Sequence, residues 1–279
     1  MKKNFTLILI ASVGALPFLP SCNNETADDK PQYDYKRDDS LSSDYLRELG
    51  SFRVGMEQIA SLNESLSSEK YSYNSQMLNP TAKVSTYNNS KVQAVNLGIY
   101  LSDLSFASAF NQTQDMRNFT DAVFQIAQKL GIQSAFNKEL FEQLTSSDTT
   151  IDKSKLFTKA FRHLQDNMHS NERSYLMALM IAGGWVESIY LASSVLKTKP
   201  MTSELNLAFF DNAYTYKNVR TILQVFQKDS KNCNEVLTEI DTINTLVSEL
   251  IMNSKYGITP AQLEGLYVPL SSIRNKLTS

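Results

Sequence analysis

Two cysteines, Cys22 and Cys233, and two histidines, His163 and His169, are all that 279 residues contain of either type. Two cysteines allow at most one disulfide, so a buried core must hold the fold. Two histidines leave few ways to build a Ser/His/Asp or Cys/His nucleophile set, and Gly-x-Ser-x-Gly does not occur. The nine glycines form no phosphate-cradling loop, and none follows Asn or Asp, which removes the commonest hairpin turn. Strict apolar/polar alternation is scarce. Proline is absent between Pro80 and Pro200. An excess of positive charge is missing too: 27 basic residues face 29 acidic ones, which argues against nucleic acid as a partner.

What is present begins at the N-terminus. Lys2 and Lys3 precede an apolar run from Phe5 to Leu19, a charged n-region and an h-region too short for a comfortable membrane span. The run ends Leu19-Pro20-Ser21-Cys22, which resembles a bacterial lipobox. That resemblance implies cleavage before Cys22 and lipid on its thiol, so residues 1–21 are expected to be a signal peptide. Asn23 in place of aspartate favours the outer membrane under the same pattern. Residues 23–40 carry six acids, three bases and no apolar periodicity. Such a segment buries too little to fold, so 22–40 is expected to be a disordered, lipid-anchored tether. Extended, it would reach about 60 Å. Asp28-Asp29 resembles a surface-export signal of Bacteroidetes lipoproteins.

Residues 41–279 are expected to form one all-α domain, a multi-helix antiparallel bundle. Helices are expected at 41–67, 81–111, 113–130, 133–146, 151–169, 171–197, 203–228, 233–254 and 260–277. Thr259-Pro260-Ala261-Gln262 is a capping box with proline at the first helical position. Asn232 with Glu235 is a weaker one, and Ser170 precedes an acid. Gly131 and Gly257 stand where helix C-caps belong.

Two helices read as central. Residues 94–110 carry two apolar stripes separated by Gly98, Ser102, Ser105 and Ala109, a row that lets another helix approach closely. Residues 175–196 are apolar or small for twelve residues before Glu187. The adjacent Gly183 and Gly184 cost about 1 kcal/mol each within a helix, which close packing or a ligand would offset. Placing Asp103 over Glu187 also places Phe106 over Tyr190, an 84-residue offset that hints at two pseudo-repeated halves.

The runs "NLGIYLSDLSFASAFNQTQDM" and "IAGGWVESIYLA", behind the lipobox, resemble a group of uncharacterised helical lipoproteins from Bacteroidetes. The resemblance implies an all-α envelope protein and no assigned activity.

Helical spacing turns Asp103 and Glu187 into the core. Buried carboxylates need partners, so a cation such as Arg220 or Lys217, or a hydroxyl, is expected beside each. The alternative is a ligand cavity lined by Asp103, Gly183, Gly184, Trp185 and Glu187. A second polar cluster, His163, Asp166 and His169 with Glu172, offers metal-ligand types at spacings of three, although all four cannot share one helix face. Cys233 is expected to be an unreactive, partly buried thiol. Tyr71, Tyr73, Tyr33 and Tyr35 could stack on sugars, or serve as loop and tether aromatics.

The sequence as a whole points to an outer-membrane lipoprotein facing the periplasm or the cell surface. Its expected role is binding or scaffolding without catalysis or cofactor, held to the membrane by lipid on Cys22, with a protein partner in the envelope. The alternative is an envelope metal-binding protein or enzyme that uses the histidine cluster.

Overall fold

The computed structural model describes residues 47, 49–50, 60–136, 138–144, 146, 150–170, 173–198, 200–253 and 257–279, all within the unit spanning 33–279. The leader and tether lie outside the described residues, as do Cys22, Tyr33, Tyr35 and Glu172. Among the described residues the chain is an all-α, multi-helix bundle without strands. A helical stretch over 60–68 precedes two short 3-10 turns, Ser75–Met77 and Thr81–Thr86. The α-helices follow as α1 (Ser90–Ala109), α2 (Thr113–Lys129), α3 (Lys138–Leu144), α4 (Lys153–Ser170), α5 (Ser174–Leu196), α6 (Ser203–Tyr214), α7 (Tyr216–Phe226), α8 (Lys231–Asp241), α9 (Asn244–Asn253) and α10 (Pro260–Leu277).

α1 and α5 form the axis of the bundle, because both are apolar on nearly every face and therefore need neighbours all round. By length and hydropathy α5 could cross a membrane, yet 94% of its apolar window is buried by the rest of the protein. That is the environment of a core helix. The glycines explain how closely the pair packs. A Cβ on Gly98 would stand 1.9 Å from the Met180 carbonyl oxygen, and one on Gly183 would stand 2.1 Å from that of Val95. Only glycine allows the backbones to meet there. Contacts climb together along the pair, from Val95 with Gly183 to Ser102 with Ser188. The two central helices are thus parallel, at nearly the offset that aligns Asp103 with Glu187. Chain neighbours pack the other way: Tyr100 of α1 meets Phe119 of α2 across their connection. α10 runs antiparallel to α5, with Glu264 at Lys197 and Arg274 at Glu187.

Helix ends agree with the sequence where a side chain or glycine dictates them. Thr259 and Gln262 close the capping box, and Gly131 takes φ of +64° just past α2, the left-handed conformation of a C-cap; Gly257 has φ of +81°, but the residues between it and α9 lie outside the described residues. Three starts differ. α8 is capped by Ser230, whose hydroxyl accepts from Cys233 N–H, in place of Asn232. Ser170 ends α4, and α5 begins at Ser174. Residues 81–89 do not extend α1; Asn89 caps it by accepting from Val92 N–H.

Two expected helices are each broken in two by the same device. At 203–228 the Asn212 carbonyl accepts from the Thr215 hydroxyl (2.7 Å) and from the indole N–H of Trp185 (3.2 Å). At 233–254 the Ile240 carbonyl accepts from the Tyr216 hydroxyl (3.0 Å), while the Thr242 hydroxyl turns back to Glu239 (2.7 Å). Carbonyls so occupied stop feeding the i+4 ladder, and the last turn tightens to i+3 bonds.

Candidate functional site

Asp103 on α1 and Glu187 on α5 are both 0% exposed, as their spacing predicts. The cation that meets them is neither of the expected ones. Arg220 forks onto Asp241 instead, at 2.6 and 3.0 Å, and Lys217 lies over the ring of Tyr214. The partner is Arg274 of α10. Its Nε donates to Glu187 Oε2, and its Nη2 donates to Glu187 Oε1 (2.9 Å) and to the Met77 carbonyl (3.2 Å). The guanidinium also lies over the ring of Tyr190, 4.6 Å from its centre. Asp103 Oδ2 accepts from the Asn79 N–H at 3.1 Å. These four groups form a clasp joining α1, α5, α10 and the 3-10 segment.

The remaining oxygen, Asp103 Oδ1, is buried and accepts no hydrogen bond. Burial first, and the charge of Glu187 second, hold Asp103 well above the usual carboxylate range, against the opposing pull of Arg274 and the Asn79 amide. One guanidinium facing two sealed carboxyls can balance one negative charge. Sealed in the core beside a second carboxyl and sharing one guanidinium with it, Asp103 is thereby biased toward its neutral form. Around it, burial pushes the Tyr73, Tyr87 and Tyr100 hydroxyls above the usual phenol range, so these stay neutral too.

The polar set continues through Asn79, whose amide donates to Tyr87 Oη and Asn96 Oδ1, both at 3.3 Å. Asn96 in turn donates to the Val92 and Leu277 carbonyls, and Tyr100 to that of Pro80 (2.8 Å). Side chains thus supply the hydrogen bonds that irregular backbone over 75–89 cannot make to itself. Lys129 adds its ammonium to the Val84 and Tyr87 carbonyls, at 2.6 and 3.2 Å.

Of the five residues proposed from sequence to line one cavity, the structure brings Asp103 and Glu187 together in this clasp. Gly183 is pressed on α1. Trp185 is 0% exposed, packed on Tyr216 with ring centres 5.1 Å apart. Gly184 lines an open space that lies elsewhere. It is a partly open recess of about 60 Å3 between α1, α3, α4, α5 and the stretch 60–68, walled by Phe136, Phe141, Phe157, Phe161, Leu164, Leu101, Met180 and Ile181. Ser102, Ser105 and Ser188 supply its few polar atoms.

His163 and Asp166 are exposed on α4, and His163 Nδ1 bonds the Ala135 carbonyl at 2.8 Å. The side chain of His169 and all of Glu172 lie outside the described residues. Among the described residues no three His, Cys, Asp or Glu side chains gather as a metal site would require. Cys233 is 0% exposed, more deeply placed than expected, with its thiol 3.7 Å from the Tyr175 carbonyl. Tyr73 stacks on Phe106 and donates to Asp115 (2.6 Å), and Tyr71 is buried at the Pro200 carbonyl. These rings anchor the 3-10 segment.

Arg274 is the residue that sequence reasoning missed, although a signal was there. It sits between Leu270 and Leu277 on the stripe that α10 buries, and a cation on an apolar stripe needs a buried anion. No protein-family model, curated protein or solved structure matches this chain.

Proposed function

We propose that this chain is a lipoprotein of the outer membrane, anchored through Cys22 and facing the periplasm or the cell surface. Its helical body binds a ligand or an envelope partner and carries out no catalysis. The lipobox and the acidic segment after it support the anchor, and the resemblance to helical Bacteroidetes lipoproteins agrees with it. The observation that carries the binding role is the apolar recess beside Gly184, a concave site lined by aromatic rings with a few polar atoms on one face. The clasp, by contrast, spends every charge on a neighbour and faces no open space, so it serves structure.

The test uses the full-length protein in its own envelope. Metabolic labelling with a fatty acid should tag the wild type and leave Cys22→Ala unlabelled, and crosslinking followed by purification should recover a defined partner or a bound small molecule. Labelling of Cys22→Ala, or a protein recovered alone from the soluble fraction, would refute the proposal.

A further inference from the structure

The cavity's chemistry is more specific than its shape. Among the described residues its walls are four phenylalanine rings and aliphatic side chains, and no charged side chain lines it. A charged ligand would lose its hydration and gain no partner, so the occupant is neutral. The polar atoms are confined to the face made by α1 and α5. There the Ser102 and Ser188 hydroxyls each stand 2.8 Å from the Gly184 carbonyl and 3.0 Å from one another. Each hydrogen goes either to that carbonyl or to the neighbouring hydroxyl, so within this cluster both are used and lone pairs face the cavity. Ser105 Oγ, on the same face, accepts from the Asn63 amide (3.2 Å).

The geometry points to a binding site for a small neutral molecule, a single aromatic ring or short alkyl chain, that carries one hydroxyl to donate to Ser102 and Ser188. About 60 Å3, at roughly 10–15 Å3 for each water centre, suits one ring and excludes a lipid or a peptide. The inference rests on the reading of the body as a binding domain and deepens it by naming the ligand class.

The test is titration of the purified full-length protein with p-cresol and with toluene, followed by thermal unfolding and by NMR of the methyl groups on Leu164 and Ile181. p-Cresol should give a saturable rise of a few degrees and bind about tenfold tighter than toluene, the worth of one hydrogen bond. Ser188→Ala should bring p-cresol close to toluene. Ala160→Phe, which places a ring in the cavity, should abolish both responses, and Ala160→Leu provides a milder filling should the phenylalanine variant not fold. The wild-type titration decides by itself. No saturable response to either probe would overturn the site, as would an equal response in the filled variants. Probe binding by a protein that proves unanchored and without a partner would refute the envelope reading and keep the site. A verified anchor and partner with no probe binding would do the reverse.

Discussion

Neighbouring residues on the same two helices build opposite environments. Asp103 and Glu187 face α10 and the 3-10 segment, where a guanidinium and a backbone amide close around them. One residue away, Ser102 and Ser188 face α3 and α4, where phenylalanines leave a space unfilled. On the first side every strong charge is matched, and the cost of burial is offset by hydrogen bonds of good geometry. On the second side nothing is charged, and the cost is a gap without atoms to fill it. A sealed ion pair tolerates no vacancy because an unpaired buried charge is so costly, whereas a gap among apolar side chains costs far less.

Breaking the charged side should therefore give the largest effect. Glu187→Ala leaves Arg274 buried without its anion and should destabilise the fold by about 3–5 kcal/mol, measured by urea denaturation. A loss below about 1 kcal/mol would show that Arg274 finds another partner or water. Gly183→Ala comes next. Its Cβ would meet the Val95 backbone, which cannot swing aside, so the central pair must separate at a cost of about 1–3 kcal/mol. Unchanged stability there would mean that the two helices slide easily.

The raised pKa of Asp103 sharpens the comparison through pH. Asp103 is held above its ordinary value of about 3.9, so between that value and the raised one the folded chain binds more protons than the unfolded chain. Stability contributed by the protonated group is complete below the ordinary value and is lost as pH rises through the raised one, at most about 1.4 kcal/mol per pH unit for one proton. Asp103→Asn is neutral at every pH and should flatten that decline, read as the difference between wild-type and variant stability across pH. A decline of equal slope in the variant would assign the proton to another group. The smallest effect is expected at Gly184→Ala. The new Cβ would lie 3.3 Å from the Gly98 oxygen, a few tenths of an ångström too near, and the gain in helix propensity of about 1 kcal/mol nearly cancels the crowding. A net change above about 1.5 kcal/mol in calorimetry would show that Gly184 is as constrained as Gly183.

How much was legible follows from how local each cause is. Thr259, Pro260 and Gln262 act within one turn, so their cap could be read directly. The burial of Asp103 and Glu187 followed from helical spacing, and the paired glycines announced a close approach. The breaks at Thr215 and Thr242 were invisible, because Trp185 and Tyr216 reach them from other helices. Residues 81–89 read as helix in the sequence because Tyr100, Lys129 and Arg274, which hold backbone carbonyls of the 3-10 segment, lie 20 or more residues along the chain from them.

The sequence by itself determined the all-α class, the helical periods, the caps that rest on one or two side chains, and the need to bury two acids and two central helices. Those are consequences of spacing and residue type. Only the tertiary structure decided that the central helices run parallel, that Arg274 and neither Arg220 nor Lys217 answers Glu187, and that the open space lies beside Ser102 and Ser188 instead of Trp185. Each depends on which surfaces meet across 80 or more residues of chain. Many such pairings satisfy the same hydrophobic pattern, and packing selects the one in which no buried charge is left alone.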